Sequence, residues 1–93
     1  MNLTAKFSLG RLAATPGALA AMEASGQTPE FFIAKHLAGD WGEVSEEDRR
    51  LNDEAVIQGD RILSAFRTLR GVKLWCLTEA DRSVTTILLP TEY

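Results

Sequence analysis

Apolar and polar positions alternate most clearly in the C-terminal third of the chain, in three runs rich in β-branched and aromatic residues. Successive side chains of a strand point to opposite faces, so runs of this kind present two faces of a sheet. Arg70-Gly71 is a turn signal between the first two runs, and Pro90 ends the third because it cannot donate to a ladder. The pattern predicts a meander of three antiparallel strands. These runs are residues 61–69, 72–79 and 83–89.

Three helices are predicted before the strands, because each candidate segment has a start signal and a stop signal. A hydroxyl residue that can cap the helix opens each segment, twice followed by proline, and a glycine closes it. The predicted helices lie between Thr15 and Gly26, between Thr28 and Gly39, and between Ser45 and Gly59. The third helix has a thin apolar stripe of Leu51, Ala55 and Val56.

The leading segment, residues 1–14, fits either a first strand at the sheet edge or a helix, because its leucines and alanines suit both. Helices first and an antiparallel sheet of three to four strands last define an α+β fold, with the helices packed on one sheet face. At 93 residues the chain allows one domain, residues 1–93.

Composition excludes several classes of function. The net charge is −3 and the sequence pI is about 5.0, which argues against binding nucleic acid through a basic surface. One cysteine, Cys76, excludes an internal disulfide and is expected to be a buried thiol. A signal peptide and a run of about 20 apolar residues are both lacking, so we expect a cytoplasmic protein without a membrane partner.

Metal and nucleophile motifs are also missing. One histidine, one cysteine and scattered carboxylates give no ligand pair at zinc spacing, so no metal and no cofactor are expected. Any Ser/His or Cys/His pair would have to use His36, which shares a helix stripe with Phe32. That stripe favours a partly buried structural histidine.

One charged cluster could carry chemistry. Carboxylates beside arginines can act as general acid and base and can stabilise a phosphoryl charge, which suits RNA cleavage without a metal. The structural alternative is a turn stabilised by its own side chains, with Arg82 paired to Glu79. The alternative catalytic residues are Arg61, Arg67, Glu79, Asp81 and Arg82.

The candidate binding residues are two tryptophans and two cations of the strand region. Trp75 shares a strand face with Leu77, which predicts a core or half-buried position, whereas Trp41 either plugs the junction of helices and sheet or is an exposed anchor for a partner. These candidates are Trp41, Arg67, Lys73 and Trp75.

Four strings resemble a family of short bacterial proteins of unassigned activity, the plasmid-related proteins of plasmids and integrative elements. They are ATPGAL at 14–19, HLAGDWG at 36–42, RIL-S-F at 61–66 and TEADRSVTTILLPTEY at 78–93. The resemblance implies a mobile-element setting and gives no residue a catalytic role.

A second resemblance, at the level of fold, is to barnase-like and RelE-like ribonucleases, which also place an antiparallel sheet after helices. Arg82 follows Asp81 where that family has its catalytic histidine, and Ser64 or Arg67 lies where its glutamate base is expected. Two functions follow as expectations. The first is a non-enzymatic accessory protein that binds another protein, with a homodimer left open; the alternative is a metal-independent ribonuclease or toxin.

Overall fold

The computed structural model describes residues 5–93, which form one four-stranded sheet with three helices on one of its faces. Helices α1, α2 and α3 follow strand β1, and strands β2 to β4 follow the helices, as the α+β prediction requires. The elements are β1 (Arg11–Ala14), α1 (Pro16–Ala24), α2 (Pro29–Leu37), α3 (Glu46–Gln58), β2 (Ile62–Arg67), β3 (Lys73–Thr78), β4 (Val84–Leu88) and a 3-10 turn (Pro90–Glu92).

The sheet has the order β1-β4-β3-β2. Strands β2, β3 and β4 form the predicted antiparallel meander, in which Ser64 pairs with Cys76 and Cys76 with Ile87. The leading segment contributes β1, which lies parallel to β4 because the three helices separate the two strands and return the chain to the same end. The sheet is therefore mixed, and the expectation of a purely antiparallel sheet was wrong for this one strand.

The predicted helix signals act as expected at most positions. The hydroxyl of Thr15 accepts a hydrogen bond from the N–H of Ala18 (3.3 Å), and that of Ser45 accepts from Asp48 (3.0 Å). Gly59 ends α3 in the left-handed conformation at φ 84°, which glycine adopts without steric cost. Thr28 begins α2 without a side-chain capping bond, so Pro29 is the effective start signal there.

The face of the sheet covered by the helices, here called the inner face, holds the main hydrophobic core. Phe66, Leu74 and Ile87 project from it against Met22 of α1 and Phe32 of α2, and all five are at most 6% exposed. Residues two apart on each strand share this face, as the alternating pattern predicts.

Helix α3 buries a polar residue where the sequence predicts a leucine. Leu51 is 47% exposed, whereas Asn52 is 6% exposed and its amide contacts the backbone of β2. Hydrogen bonding to an otherwise unpaired strand edge outweighs apolar burial here, so the predicted stripe is wrong at Leu51 and correct at Ala55.

None of the helices in residues 5–93 is long and apolar enough to cross a membrane.

Candidate functional sites

A chain of buried hydrogen bonds crosses the inner face of the sheet at His36. Its Nδ1 lies 2.6 Å from the hydroxyl of Ser64 and its Nε2 lies 2.8 Å from the hydroxyl of Thr78. Thr78 contacts Thr85 at 2.7 Å, and Thr85 donates to the carbonyl of Leu9 at 2.7 Å. The four side chains are all 0% exposed, so the chain joins α2, β2, β3, β4 and the segment before β1 without contact with solvent.

The carbonyl of Leu9 fixes the direction of the hydrogen bonds from Thr85 back to Nε2 of His36. A carbonyl can only accept, so Thr85 donates to Leu9 and must accept from Thr78. Thr78 in turn accepts from Nε2–H of His36, and Nδ1 accepts from Ser64. The network thus places a proton on Nε2, and burial lowers the pKa of the ring from 6.5 to about 4, so the ring is neutral and Nδ1 accepts.

Ser64 and His36 are in contact, as in a nucleophilic site, but a substrate has no access to either side chain. Ser64 lies under α2 with no exposed surface, and a substrate could not approach its oxygen without displacing the helix. Cys76, the neighbour of Ser64 across the strands, is equally buried, and burial raises its thiol pKa to about 12. The network therefore positions α2 on the sheet, and the sequence-based view of His36 as a structural residue agrees with its surroundings.

Arg82 holds the turn between β3 and β4 against the end of α3. Its Nη1 donates to the carbonyls of Asp60 (2.7 Å), Glu79 (3.2 Å) and Ala80 (3.4 Å), and its Nη2 donates to the carbonyl of Ala55 (2.9 Å). A cation beside the last carbonyls of a helix is favourable because the helix dipole is negative there. Both terminal nitrogens are occupied by this role, which leaves them poorly placed to bind a phosphate.

The other alternative catalytic residues do not converge on one point. Arg61 reaches Glu79 at 3.9 Å and donates to the hydroxyl of Tyr93, but Arg67 lies at the far end of β2, about 20 Å away at the usual strand rise. Asp81 accepts from Ser83, which lowers the pKa of its carboxyl and makes it a weaker base.

Trp41 fills the junction between helices and sheet. It is 1% exposed, its ring stacks on Phe7 at 6.2 Å and meets His36 edge-on at 5.8 Å, and its indole N–H donates to Asp53 at 3.0 Å. The exposed-anchor interpretation of Trp41 does not agree with this burial; the plug interpretation does. A tryptophan in a loop gives the sequence no means to distinguish the two.

The remaining three binding candidates share the face of the sheet opposite the helices, here called the outer face. Arg67 and Lys73 lie opposite each other at one end of β2 and β3, where Arg67 forms an ion pair with Glu43 at 2.9 Å, and Trp75 is half-buried near the middle. Tyr93 meets Trp75 edge-on at 5.8 Å between ring centres and is 67% exposed. These rings border an outer cleft of about 340 Å³, which is lined by Arg61, Leu63, Trp75, Leu77 and Tyr93.

A second concavity, here called the groove, lies between β1 and the helices. It measures about 490 Å³, and almost all of its lining is apolar. Leu12 of β1 and Leu19 of α1 border it at 53% and 47% exposure, and Ile33 and Leu37 of α2 form the opposite wall. The sequence predicted neither this groove nor the outer cleft, because both depend on which elements meet.

Among residues 5–93, no cluster of three or more histidine, cysteine or acidic side chains could hold a metal ion. Comparisons of the chain with protein-family models, with curated proteins and with solved structures each found no match. Its function must therefore be argued from these surfaces.

Proposed function

We propose that this chain is a non-enzymatic accessory protein of a plasmid or integrative element, and that it acts in the cytoplasm by binding another protein through the outer face of its sheet. The strings at 36–42 and 78–93 support the mobile-element setting through their family resemblance. The binding role rests on one observation, which is that the outer face exposes an aromatic pair beside unpaired cations.

The aromatic pair supplies the apolar part of the surface. Trp75 and Tyr93 meet edge-on, with 73° between their ring planes, and the cleft that they line with Leu63 and Leu77 is large enough to receive one apolar or aromatic side chain. Tryptophan and tyrosine are enriched in the energetically important centres of protein interfaces, because they bury a large area with few rotatable bonds.

The charges of this face select the kind of partner. Arg11 and Lys73 lie on the outer face by the strand register, and no ion pair within residues 5–93 involves either of them. Seven of the 13 acidic residues lie between Asp40 and Glu54, in and before α3, and of these Glu43 reaches the outer face, where it pairs with Arg67 at 2.9 Å. An acidic segment that carries one apolar anchor would complement the outer face in charge and in shape.

Selection from a displayed library of random peptides of about twelve residues tests this proposal. We expect the selected peptides to carry acidic residues around one aromatic or leucine side chain. In spectra of the isotope-labelled protein, each selected peptide should shift the amide signals of Leu63, Trp75 and Tyr93. Lys73→Glu should weaken binding at least tenfold, because it reverses an exposed charge at the edge of the contact.

Arg49→Glu is the matched control, because it makes the same charge reversal on α3, on the other side of the sheet. Equal weakening by Arg49→Glu and Lys73→Glu would contradict the proposal, and so would peptides that shift only β1 and α2. A single-stranded RNA of similar length that displaced the peptides, with strong salt dependence, would assign the face to nucleic acid instead.

The ribonuclease alternative is favoured by one specific contact. Arg61 lines the outer cleft and reaches Glu79 at 3.9 Å, so a cation and a carboxylate stand beside a concave surface. If this pair cleaved RNA, expression would arrest growth and Glu79→Gln would relieve the arrest while leaving the fold intact. Growth unaffected by strong expression would exclude it.

A further inference from the structure

The two edge strands of the sheet, β2 and β1, differ in whether their outward backbone groups have hydrogen-bond partners. On the β2 edge, Asn52 donates to the carbonyl of Leu63 (2.8 Å) and accepts from its N–H (3.2 Å). Further along, Ala65 donates to the carbonyl of Trp41 (3.0 Å) and accepts from the N–H of Glu43 (2.6 Å). The outward backbone groups of this edge are thus paired at both positions, which is how proteins prevent strands from adding to a sheet.

The β1 edge has no such cover among residues 5–93. The N–H groups of Arg11 and Thr15 donate to β4. Backbone groups alternate in direction along a strand, so those of every second residue, starting at Arg11, face β4, and those of the residues between them face outward. Leu12 and Ala14 therefore direct their N–H and C=O groups away from the sheet. Neither a proline nor an inward-pointing charge interrupts β1, although both are common protections of an exposed edge.

Two copies of β1 satisfy each other's outward groups. The two strands can run antiparallel around a twofold axis at Ala13. Leu12 of each copy then pairs with Ala14 of the other copy, and each of these two pairs exchanges two backbone hydrogen bonds, which gives four in total. The small side chain of Ala13 at the axis permits close approach. Arg11 then faces Thr15 of the second copy, so the register places no like charges opposite each other.

The same register fills the groove. Leu12 and Ala14 share the inner face of the sheet with their partners Thr85 and Ile87 of β4. Leu12 of the second copy, placed beside Ala14, would therefore project toward the groove and cover Ile33. Leu12 is 53% exposed in the single chain, so both the exposed leucine and the apolar groove gain a partner.

We propose that a second copy of this chain occupies the β1 edge and the groove, forming a twofold dimer with a continuous eight-stranded sheet. A stable interface buries roughly 800 Å² per partner, or about a seventh of the 5509 Å² surface of one chain, so the helix faces beside β1 must also meet. The dimer goes beyond the proposed function and does not depend on it: the outer faces of both copies stay on one side and remain open.

Sedimentation of the full chain between about 5 and 200 µM tests the dimer. The expected mass is twice the 10.2 kDa of the chain. Leu12→Glu should raise the dissociation constant at least tenfold, because it would place a carboxylate in the groove. Leu51→Glu is the matched control: this leucine is 47% exposed on α3, so the same change there should alter the constant less than twofold. Circular dichroism verifies that both variants fold.

A cross-link tests the register. Ala13→Cys should form an intermolecular disulfide across the axis, whereas Ala20→Cys, on the exposed side of α1, should not; Cys76 is too buried to take part. A monomer at 200 µM would overturn the proposal, as would a dimer that Leu12→Glu leaves intact or cross-linking no faster at Ala13 than at Ala20. A monomer whose β1 edge binds a strand of another protein would also overturn the dimer proposal. Peptide binding at the outer face tests the proposed function separately, so the two proposals can fail independently.

Discussion

Lowering the pH from 7.5 to 5.0 should destabilise this fold through one side chain, His36. The ring is fully buried, and its two nitrogens bond to Ser64 and Thr78 in a chain that places one ring proton on Nε2. A second ring proton would force Ser64 to accept instead of donate, and would place a positive charge where water cannot solvate it. Both effects disfavour the protonated form in the folded state.

The sign and the size of this loss of stability follow from the pKa values of His36 in the folded and in the unfolded chain. In the folded chain the pKa is about 4, against 6.5 in the unfolded chain. Between these values the unfolded chain binds a proton that the folded chain excludes, so the stability present above pH 6.5 is lost as the pH falls toward 4. At pH 5.0 the loss in unfolding free energy is about 2 kcal/mol, and near pH 4 it approaches about 3 kcal/mol.

Urea unfolding at several pH values measures this loss. Tryptophan fluorescence is a suitable signal, because the ring of Trp41 contacts the imidazole at 5.8 Å between centres and Trp75 lies in the sheet. His36 is the sole histidine of the chain, and the carboxyl pKa values of Asp81 and Glu92 are lowered, so those two groups act below pH 5. Histidine is also the one side chain whose ordinary pKa lies inside the interval from pH 7.5 to 5.0, so the imidazole dominates the change of stability there.

His36→Gln is the control, because an amide can donate to Thr78 but does not titrate. This variant should be less stable at pH 7.5 and should show a nearly constant free energy of unfolding from 7.5 to 5.0. If the natural chain lost less than about 0.5 kcal/mol over this interval, or if the variant lost as much, the buried neutral imidazole would be refuted. Proton NMR of the ring should show no titration above pH 5.

Three further changes test other contacts by urea unfolding. Gly42→Ala should cost about 2 kcal/mol or more, because φ is 77° and an added Cβ would lie 2.1 Å from the carbonyl of Ala65; Gly26→Ala, at φ 67° in open space, measures the conformational part alone. Arg82→Ala should cost about 1–2 kcal/mol, as it removes the charged donor to the carbonyls of Ala55 and Asp60 at the end of α3, and added salt should reduce this difference. Ser64→Ala should cost about 1–3 kcal/mol, because it leaves a ring nitrogen without a donor, and a cost near zero would contradict the assigned tautomer.

Local patterns of the sequence predicted the elements because each depends on neighbouring residues. Capping hydroxyls, prolines and glycines mark helix ends through backbone groups within one turn, and strand alternation follows from the pleat. Alternation grouped Leu74 with Cys76 and placed Phe66 with Ser64, and these residues do share the inner face, but the pattern did not indicate which face the helices cover because both are fairly apolar.

The sites could not be predicted in the same way, because they combine residues far apart in the chain. The network at His36 depends on Ser64, 28 residues away, and on Thr78, 42 residues away, and isolated hydroxyls in strands carry no sign of it. Arg82 looked available for chemistry because its carbonyl partners at the end of α3 are invisible before the β3–β4 turn is placed beside them.

The contrast between the sheet edges leads to a last prediction, at Asn52. This side chain pairs both backbone groups of Leu63, so Asn52→Ala should lower the unfolding free energy by about 1–3 kcal/mol. It should also open the β2 edge at Leu63, while Ala65 stays paired to Trp41 and Glu43. A twofold dimer through β1 closes on itself, whereas a second strand edge that is open at Leu63 permits continued addition, so sedimentation of this variant should show species larger than a dimer.

Asn52→Asp separates the two effects, because it keeps an acceptor for the N–H of Leu63 and places a charge at the edge. It should lose stability as well but should resist further addition, since a charge on an exposed edge opposes pairing. If Asn52→Ala were destabilised yet formed nothing beyond the dimer, the pairing at Ala65 would suffice to protect the edge. If it kept full stability, Asn52 would not be the group that closes this side of the sheet.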